Sequence, residues 1–195
     1  MSIETNFCLC CIDKRFDYLA TAYLNSQNNR NEFYLCSTAG SSLSLGYKCY
    51  CKNICNNCNN YDKCNKCSNL QNCNPCNSDI KILKESVTKN IDISLSLDNI
   101  KSIYMINHQD CGAIKAYLKC SGYPQTLGEN NQKDIEVNTQ LLLFSKKYIN
   151  CKYPNINSRL GLIDINGTIA EYINKKWVVV YTGEGTNPLG LWWNY

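Results

Sequence analysis

Residues 6–24, NFCLCCIDKRFDYLATAYL, contain a short apolar run, a charged turn and one face of a helix. The run from Asn6 to Ile12 predicts a buried β-strand, because a few consecutive apolar residues without a helical period are typical of one. A strand that leads directly into a helix favours an α/β fold. The apolar residues of that helix recur at i, i+3, i+4, i+7 and i+8, namely Phe16, Leu19, Ala20, Tyr23 and Leu24.

Strands and helices alternate along most of the remaining chain as well. This order predicts a mixed α/β protein with a central, mostly parallel sheet flanked by helices. The Asn166-Gly167 pair between the last two predicted strands indicates a tight turn, and therefore an antiparallel pair. The strands are predicted at 32–36, 101–106, 160–165 and 168–173, and the helices at 80–95, 112–118 and 134–149.

The composition of the 195 residues indicates one domain with a small appendage. The net charge of +4 is too small to argue for a nucleic-acid partner. No apolar run reaches the ~20 residues of a membrane span, and no secretory signal is visible. We therefore expect a cytoplasmic protein with neither a nucleic-acid nor a membrane partner. The abundance of Asn, Ile and Lys indicates an AT-rich genome such as that of a large DNA virus, so a location in the virion is also open.

Cysteine is the unusual residue, with 15 copies against one histidine. The segment 47–78 holds eight of them, two in a C-x-C and six in three repeated C-x-x-C pairs. It has almost no large aliphatic residues, so it requires cross-linking to fold and is interpreted as an inserted module. Three interpretations stay open: further Zn²⁺ in Cys₄ sites, up to four disulfides, or an expanded repeat with neither. The eight are Cys49, Cys51, Cys55, Cys58, Cys64, Cys67, Cys73 and Cys76.

Two further segments place chemistry at the ends of predicted strands. The first strand ends in Cys11-Ile-Asp-Lys-Arg15, and His108-Gln-Asp-Cys111 follows the strand at 101–106. Because α/β proteins place sites at the carboxyl ends of parallel strands, Cys11, His108 and Cys111 are candidates for three ligands of a zinc ion with an open fourth position.

In an extended chain Asp13 and Arg15 share a face with Cys11, which makes them candidates to orient a nucleophile at that open position. The alternatives are a core histidine and an ordinary surface ion pair. The remaining cysteines, Cys8, Cys10, Cys36, Cys120 and Cys151, are predicted to be small buried hydrophobic residues.

C-x-D-x-R followed by H-x-x-C resembles the β-class carbonic anhydrases, and most closely a divergent branch of them. The residues that carry the resemblance are CIDKRFDYL at 11–19 and HQDCGA at 108–113. STAGS at 37–41 is similar to the Ala-Gly loop of the family, and LGLIDING at 160–167 to its last strand and turn. The resemblance extends over 6–46 and 79–173.

The resemblance implies that Cys11, His108 and Cys111 bind a catalytic Zn²⁺ and that Asp13 with Arg15 orients the nucleophile. The implied reaction is reversible hydration of carbon dioxide to bicarbonate by zinc-bound hydroxide, in a homodimer or higher homo-oligomer. Two alternatives stay open: a catalytically inactive zinc-binding structural or virion protein whose cysteine-rich module mediates assembly, and a zinc hydrolase of COS or CS₂.

The expected organisation has three parts. Residues 1–46 and 79–173 form the carbonic-anhydrase-like α/β domain, and 47–78 form the cysteine-rich module. Residues 174–195 form an aromatic C-terminal extension, for which an extra strand, a cover over an interface and plain packing are the alternatives.

Overall fold

The computed structural model describes residues 4–27, 31–46, 76–120 and 131–182. Six strands and five helices are present in these ranges. The strands are β1 (Glu4–Cys11), β2 (Asn31–Thr38), β3 (Ile100–His108), β4 (Asn157–Ile163), β5 (Thr168–Ile173) and β6 (Lys176–Thr182). The helices are α1 (Asp17–Gln27), α2 (Leu43–Gly46), α3 (Cys76–Leu97), α4 (Gly112–Cys120) and α5 (Asn131–Lys152).

All six strands form one sheet in the order β2-β1-β3-β4-β5-β6. The strand β1 pairs in parallel with both β2 and β3, and β3 pairs in parallel with β4. These parallel neighbours are joined through helices, as crossover connections require. The predicted α/β class, with a mostly parallel sheet flanked by helices, is therefore confirmed.

The last three strands are antiparallel because short turns connect them. Between β4 and β5 the Asp164 carboxylate accepts the backbone N–H groups of Asn166 and Thr168, both at 2.8 Å. Gly167 takes a φ of 84°, which glycine adopts without strain. Between β5 and β6, Asn174 and Lys175 both have positive φ, as a two-residue turn of type I′ needs. The predicted antiparallel pair is confirmed, although β4 ends at Ile163 rather than residue 165.

Helices cover both faces of the sheet. On one face α1 places its apolar stripe against alternate side chains of β1 and β3. On the other face α3 and α5 cover the intervening side chains of the same strands. The first contact set includes Leu19, Ala20, Tyr23, Cys8, Cys10 and Tyr104, and the second includes Val87, Ile91, Leu142, Phe7, Leu9 and Met105. Each large apolar side chain buried in this way contributes roughly 1.5–3 kcal/mol.

The helix α2 approaches α5 so closely that only glycine fits at the contact. A Cβ atom built on Gly46 would lie 2.1 Å from the carbonyl oxygen of Leu141. Ser145 strengthens the same contact, because its hydroxyl donates to the carbonyl oxygen of Ser42 at 2.8 Å. The loop from Thr38 to Ser42 is thereby held between β2 and α5, beside the end of β1.

Two segments defined from the sequence lie largely outside the described residues. Seven of the eight module cysteines fall within 47–75, and the eighth, Cys76, begins α3. The strand β6 lies in the segment assigned to the C-terminal extension, and its Trp177 indole donates to Thr139 of α5 at 3.1 Å. In the described part of the chain, none of the helices has the length and apolar character needed to cross a bilayer.

A charged pair on the α1 face joins β4 to β5. The Glu171 side chain is only 5% exposed, and Arg159 donates to it from Nη2 at 2.6 Å and from Nε at 3.2 Å. Arg159 also donates to the Tyr104 hydroxyl at 2.7 Å, so a single guanidinium connects β3, β4 and β5. A buried carboxylate needs such a partner because its desolvation is otherwise uncompensated.

Arg159→Ala should lower the free energy of unfolding by about 3 kcal/mol, because it leaves the Glu171 carboxylate buried and unpaired. Urea unfolding of the purified variants measures this change. The double variant Arg159→Leu, Glu171→Leu is the matched control, since replacing both partners with apolar residues restores most of the loss. Equal stability of wild type and Arg159→Ala would contradict the prediction.

Candidate metal centre

The sheet brings the two cysteine-containing segments together at one edge. Cys11 is the last residue of β1, and His108 is the last residue of β3. These two strands are parallel neighbours, and the chain leaves β1 towards β2 on one side and later returns as β3 on the other. This is the topological switch point of the sheet, where open α/β proteins form a crevice at the strand ends.

Cys11, His108 and Cys111 each present one ligand atom, and these atoms all lie within 4.8 Å of one another. The three residues are buried, with exposed fractions of 6%, 1% and 2%. The two Sγ atoms are 3.9 Å apart. Two thiolates at 2.3 Å from one tetrahedral zinc ion would be about 3.8 Å apart, so the cysteine pair has the separation that zinc requires.

The two nitrogen atoms of the His108 ring differ in their hydrogen bonding. Its Nδ1 lies 2.7 Å from the Gln109 carbonyl oxygen, and because a carbonyl only accepts, Nδ1 carries the hydrogen. Its Nε2 is buried and has no hydrogen-bond partner among the described residues. A buried polar atom without a partner is costly, whereas a ligand nitrogen whose ring donates its other N–H to a carbonyl is typical of metal sites. The cluster therefore fits a zinc ion.

Phe16 fixes the plane of that ring. The two rings are stacked, with centroids 4.3 Å apart and an interplanar angle of 20°. Phe16 is the residue just before α1, and its N–H donates to the Asp13 carbonyl oxygen at 2.9 Å. The turn after β1 thus determines where His108 can lie.

The surroundings of the two thiols favour one negative charge. The thiol of Cys111, followed by the His108 ring and the Gly40 N–H, lowers the pKa of Cys11 against the opposing effect of burial. The negative neighbour Cys11, together with burial, raises the pKa of Cys111. Burial lowers the pKa of His108, but its contacts with Cys11 and the Gln109 carbonyl outweigh this and raise it overall. A second thiolate needs a cation between the sulfur atoms, which zinc supplies.

Gly40 contributes a hydrogen bond to the cluster from the loop after β2. Its N–H donates to the Cys11 sulfur at 3.4 Å, and its φ of 76° is one that side-chain-bearing residues rarely adopt. A Cβ atom there would also lie 2.9 Å from the Leu43 side chain. The glycine of the Ala39-Gly40 loop is therefore required by both conformation and space.

Asp13 and Arg15 form an ion pair at the mouth of the cluster. Arg15 donates to the Asp13 carboxylate from Nη2 at 2.7 Å and from Nε at 3.0 Å. These hydrogen bonds lower the pKa of Asp13 to about 2. Asp13 Oδ2 lies 3.9 Å from His108 Nε2, so the carboxylate faces the unpartnered nitrogen. The same guanidinium reaches Asp110 Oδ2 at 3.3 Å, which joins the turn after β1 to the turn after β3.

The structure brings Asp13 and Arg15 together for a different reason from the predicted strand alternation. The strand β1 ends at Cys11, and the Asp13 carboxylate accepts the Arg15 backbone N–H at 3.1 Å in a tight turn. Phe16 and Asp110 also contribute to the site, in ways that the sequence did not predict. Both lie inside the quoted motifs, but nothing in their residue types indicated the stacking or the second ion pair.

The other cysteines do not join this cluster within the described residues. Cys8, Cys10 and Cys36 are buried, as predicted. Cys10 packs on the α1 face, opposite Cys11, and its sulfur lies 3.3 Å from the Ser37 hydroxyl. The prediction for Cys151 is wrong, because it lies on an exposed part of the last turn of α5. The side chains of Cys76 and Cys120 are outside what the structure describes, as are the other seven module cysteines.

Comparison with known proteins gives distant similarities. No protein-family model matches the chain. Over 87 residues the chain is 26% identical to an uncharacterised protein of Rickettsia bellii (strain RML369-C). The matched segment covers 45% of this chain and 50% of the relative, so the chain spans about half of that relative's length. The chain is also similar to the structure of the β-carbonic anhydrase CcaA, with 15% identity, a TM-score of 0.48, and coverage of 92% of this chain and 85% of that one.

Cys111→Ser should reduce the zinc bound per chain by one equivalent, because it removes one of the two candidate sulfur ligands. Metal analysis after reconstitution under reducing conditions measures this. Cys151→Ser is the matched control, since it changes an exposed cysteine and should leave the metal content at the wild-type value. Metal held by the module is common to all three proteins and cancels in the difference. Unchanged zinc in Cys111→Ser would refute the ligand assignment.

Proposed function

We propose that this protein is a zinc-dependent enzyme that hydrates carbon dioxide reversibly to bicarbonate. The observation that carries the proposal is the buried Cys11, His108 and Cys111 cluster with the Asp13–Arg15 ion pair at its mouth. Structural zinc sites are closed by four protein ligands, whereas catalytic sites use three and leave one position open. Within the described residues this cluster offers three.

A zinc ion held by these three residues would act as a Lewis acid that lowers the pKa of water at the open position. The chain's own residues then have separate tasks. Cys11 and Cys111 supply two negative charges and His108 supplies a neutral nitrogen. The carbonyl of Gln109 and the ring of Phe16 hold the imidazole in the orientation that presents Nε2 to the metal.

Asp13 has the position and charge of a hydrogen-bond acceptor for the nucleophile. Arg15 keeps its carboxylate ionised, with a pKa of about 2, so at neutral pH Asp13 accepts hydrogen bonds and donates none. The guanidinium binds the carboxylate at two nitrogen atoms, which fixes its orientation. An acceptor held in this way selects one direction for an O–H group in front of it. A purely structural zinc site has no need of such an acceptor, so the pair favours catalysis over the structural alternative.

Apolar side chains pack against the two cysteines. Cys11 and Cys111 belong to one buried group with Leu43, Ile114 and Leu118. Apolar neighbours suit a small, uncharged, linear substrate such as carbon dioxide better than a charged one. From the resemblance we also propose a homodimeric or higher assembly, with carbon dioxide and bicarbonate as the small-molecule partners, and a cytoplasmic or virion location.

The zinc-loaded wild type should accelerate carbon dioxide hydration in a stopped-flow assay with a pH indicator. Asp13→Ala should lower the rate on the order of 10–100-fold, because the nucleophile loses the acceptor that orients it. Its zinc content should stay at the wild-type value, since Asp13 is not one of the three proposed ligands. Asp17→Asn is the matched control, because it removes an exposed carboxylate four residues further on and should leave the rate unchanged.

A zinc-loaded wild type without hydration above the buffer rate would contradict the proposal. The same preparation should then be tested with COS and CS₂. Hydrolysis of either would assign the site to the related linear substrates, and inactivity towards all three would favour the structural or virion protein.

A further inference from the structure

A continuous row of buried polar groups lies behind the metal cluster. It begins at the backbone N–H of Asp110, passes through three side chains and ends at the backbone N–H of Ser42. The side chains are Asp134, Asn138 and Asn107, with exposed fractions of 6%, 0% and 1%. Polar side chains are rarely buried this completely without a specific task, so the row requires an explanation beyond core packing.

One end of the row holds the loop between His108 and Cys111. Asp134 Oδ2 accepts the Asp110 N–H at 2.9 Å. Asp110 has a φ of 58°, a left-handed conformation that is unfavourable for most residues with a side chain. The Asp134 carboxylate compensates part of this cost, because it accepts a hydrogen bond from the Asp110 N–H in this conformation. The conformation of Asp110 in turn fixes how far Cys111 lies from His108.

The other end of the row holds the loop next to Cys11. Asn138 donates to Asp134 Oδ1 at 3.4 Å and to the Asp134 backbone carbonyl oxygen at 2.9 Å, and it accepts from Asn107 Nδ2 at 3.0 Å. The oxygen of Asn107 accepts the Ser42 N–H at 3.1 Å. Ser42 is two residues from Gly40, whose N–H donates to the Cys11 sulfur. The row therefore connects two loops to α5: the loop between His108 and Cys111, and the loop whose Gly40 N–H contacts the Cys11 sulfur.

We infer that Asp134 is a positioning residue for the metal site, which sets the separation of Cys111 from His108 and Cys11 through the Asp110 backbone. This inference rests on the proposed zinc site but not on carbon dioxide as substrate. A role confined to the start of α5 does not account for the contact, because Asp134 Oδ2 binds an N–H of another segment rather than one of its own helix.

The test is a Co²⁺ titration followed by thiolate-to-cobalt and d–d absorption, with the spectrum of Cys111→Ser subtracted to remove binding by the cysteine-rich module. Asp134→Ala should weaken Co²⁺ binding at the Cys111-dependent site on the order of 10–100-fold, as loss of a group that orients a ligand does. Asp134→Asn should recover most of the affinity, because its amide oxygen can accept the same N–H. Glu136→Gln, which removes an exposed carboxylate from the same helix, should bind as wild type does.

Wild-type affinity and spectrum in Asp134→Ala, at a temperature where circular dichroism shows it folded, would overturn the inference. If the alanine variant does not fold, Asp134→Glu replaces it, since it keeps the charge but moves the acceptor by one methylene. Wild-type binding in that variant would overturn the inference equally. In a Cys111→Ser background, Asp134→Ala should have no further effect on Co²⁺ binding.

These results are independent of the hydration assay. Cys111-dependent Co²⁺ binding that weakens in Asp134→Ala, in a protein that does not hydrate carbon dioxide, would support the positioning role and contradict the proposed function. Hydration by the wild type with unchanged Co²⁺ binding in Asp134→Ala would support the proposed function and contradict the positioning role. A wild type without any Cys111-dependent Co²⁺ binding would overturn both.

Discussion

The parallel pairing of β1 with β3 is the constraint on which the candidate site depends. Cys11 and His108 are far apart in the sequence, and only this pairing brings the carboxyl ends of their strands side by side. The register matters as much as the pairing, because a shift by one residue would turn every side chain of β1 to the other face. In the observed register Phe7 and Leu9 face α3 and α5, and Cys8 and Cys10 face α1. The register that fills both apolar cores is therefore the same one that brings the cluster together.

Burial at the strand ends imposes a second demand, that almost every polar group has a partner. The Cys11 sulfur receives the Gly40 N–H, His108 Nδ1 donates to the Gln109 carbonyl, and Asp13 is paired with Arg15. His108 Nε2 has no hydrogen-bond partner in the part of the chain that the structure describes. An unmet nitrogen beside two sulfur atoms at the separation that zinc requires is therefore more informative than the motif alone, because a core histidine would have satisfied both of its nitrogens.

The sequence was a good guide wherever periodicity or turn chemistry decides the structure. The helical spacing from Phe16 to Leu24 and the Asn166-Gly167 turn both predicted what forms. It was a poor guide wherever a side chain competes with the backbone. The carboxylates of Asp13 and Asp164 end strands earlier than apolar content suggests, because they accept nearby N–H groups.

Two residues could not be predicted for other reasons. Cys151 is exposed because its position on α5 faces solvent, which composition does not reveal. Asp134 carried no signal, since its partner is a backbone group 24 positions away.

Asp110 is the residue at which these demands meet, and this explains why an aspartate is suited to the position. A left-handed residue in the loop would ordinarily favour glycine, yet the glycine of the segment, Gly112, shows no positive φ and has open space around its Cα. Aspartate tolerates the left-handed region better than most residues and also supplies a carboxylate, which pairs with Arg15 and Lys115. Glycine would give the loop its conformation but would lose both ion pairs, and with them the link between the turn after β3 and the turn that holds Asp13. The loop can therefore accept backbone strain at Asp110, because the same residue connects the segment of His108 and Cys111 to the Asp13–Arg15 pair.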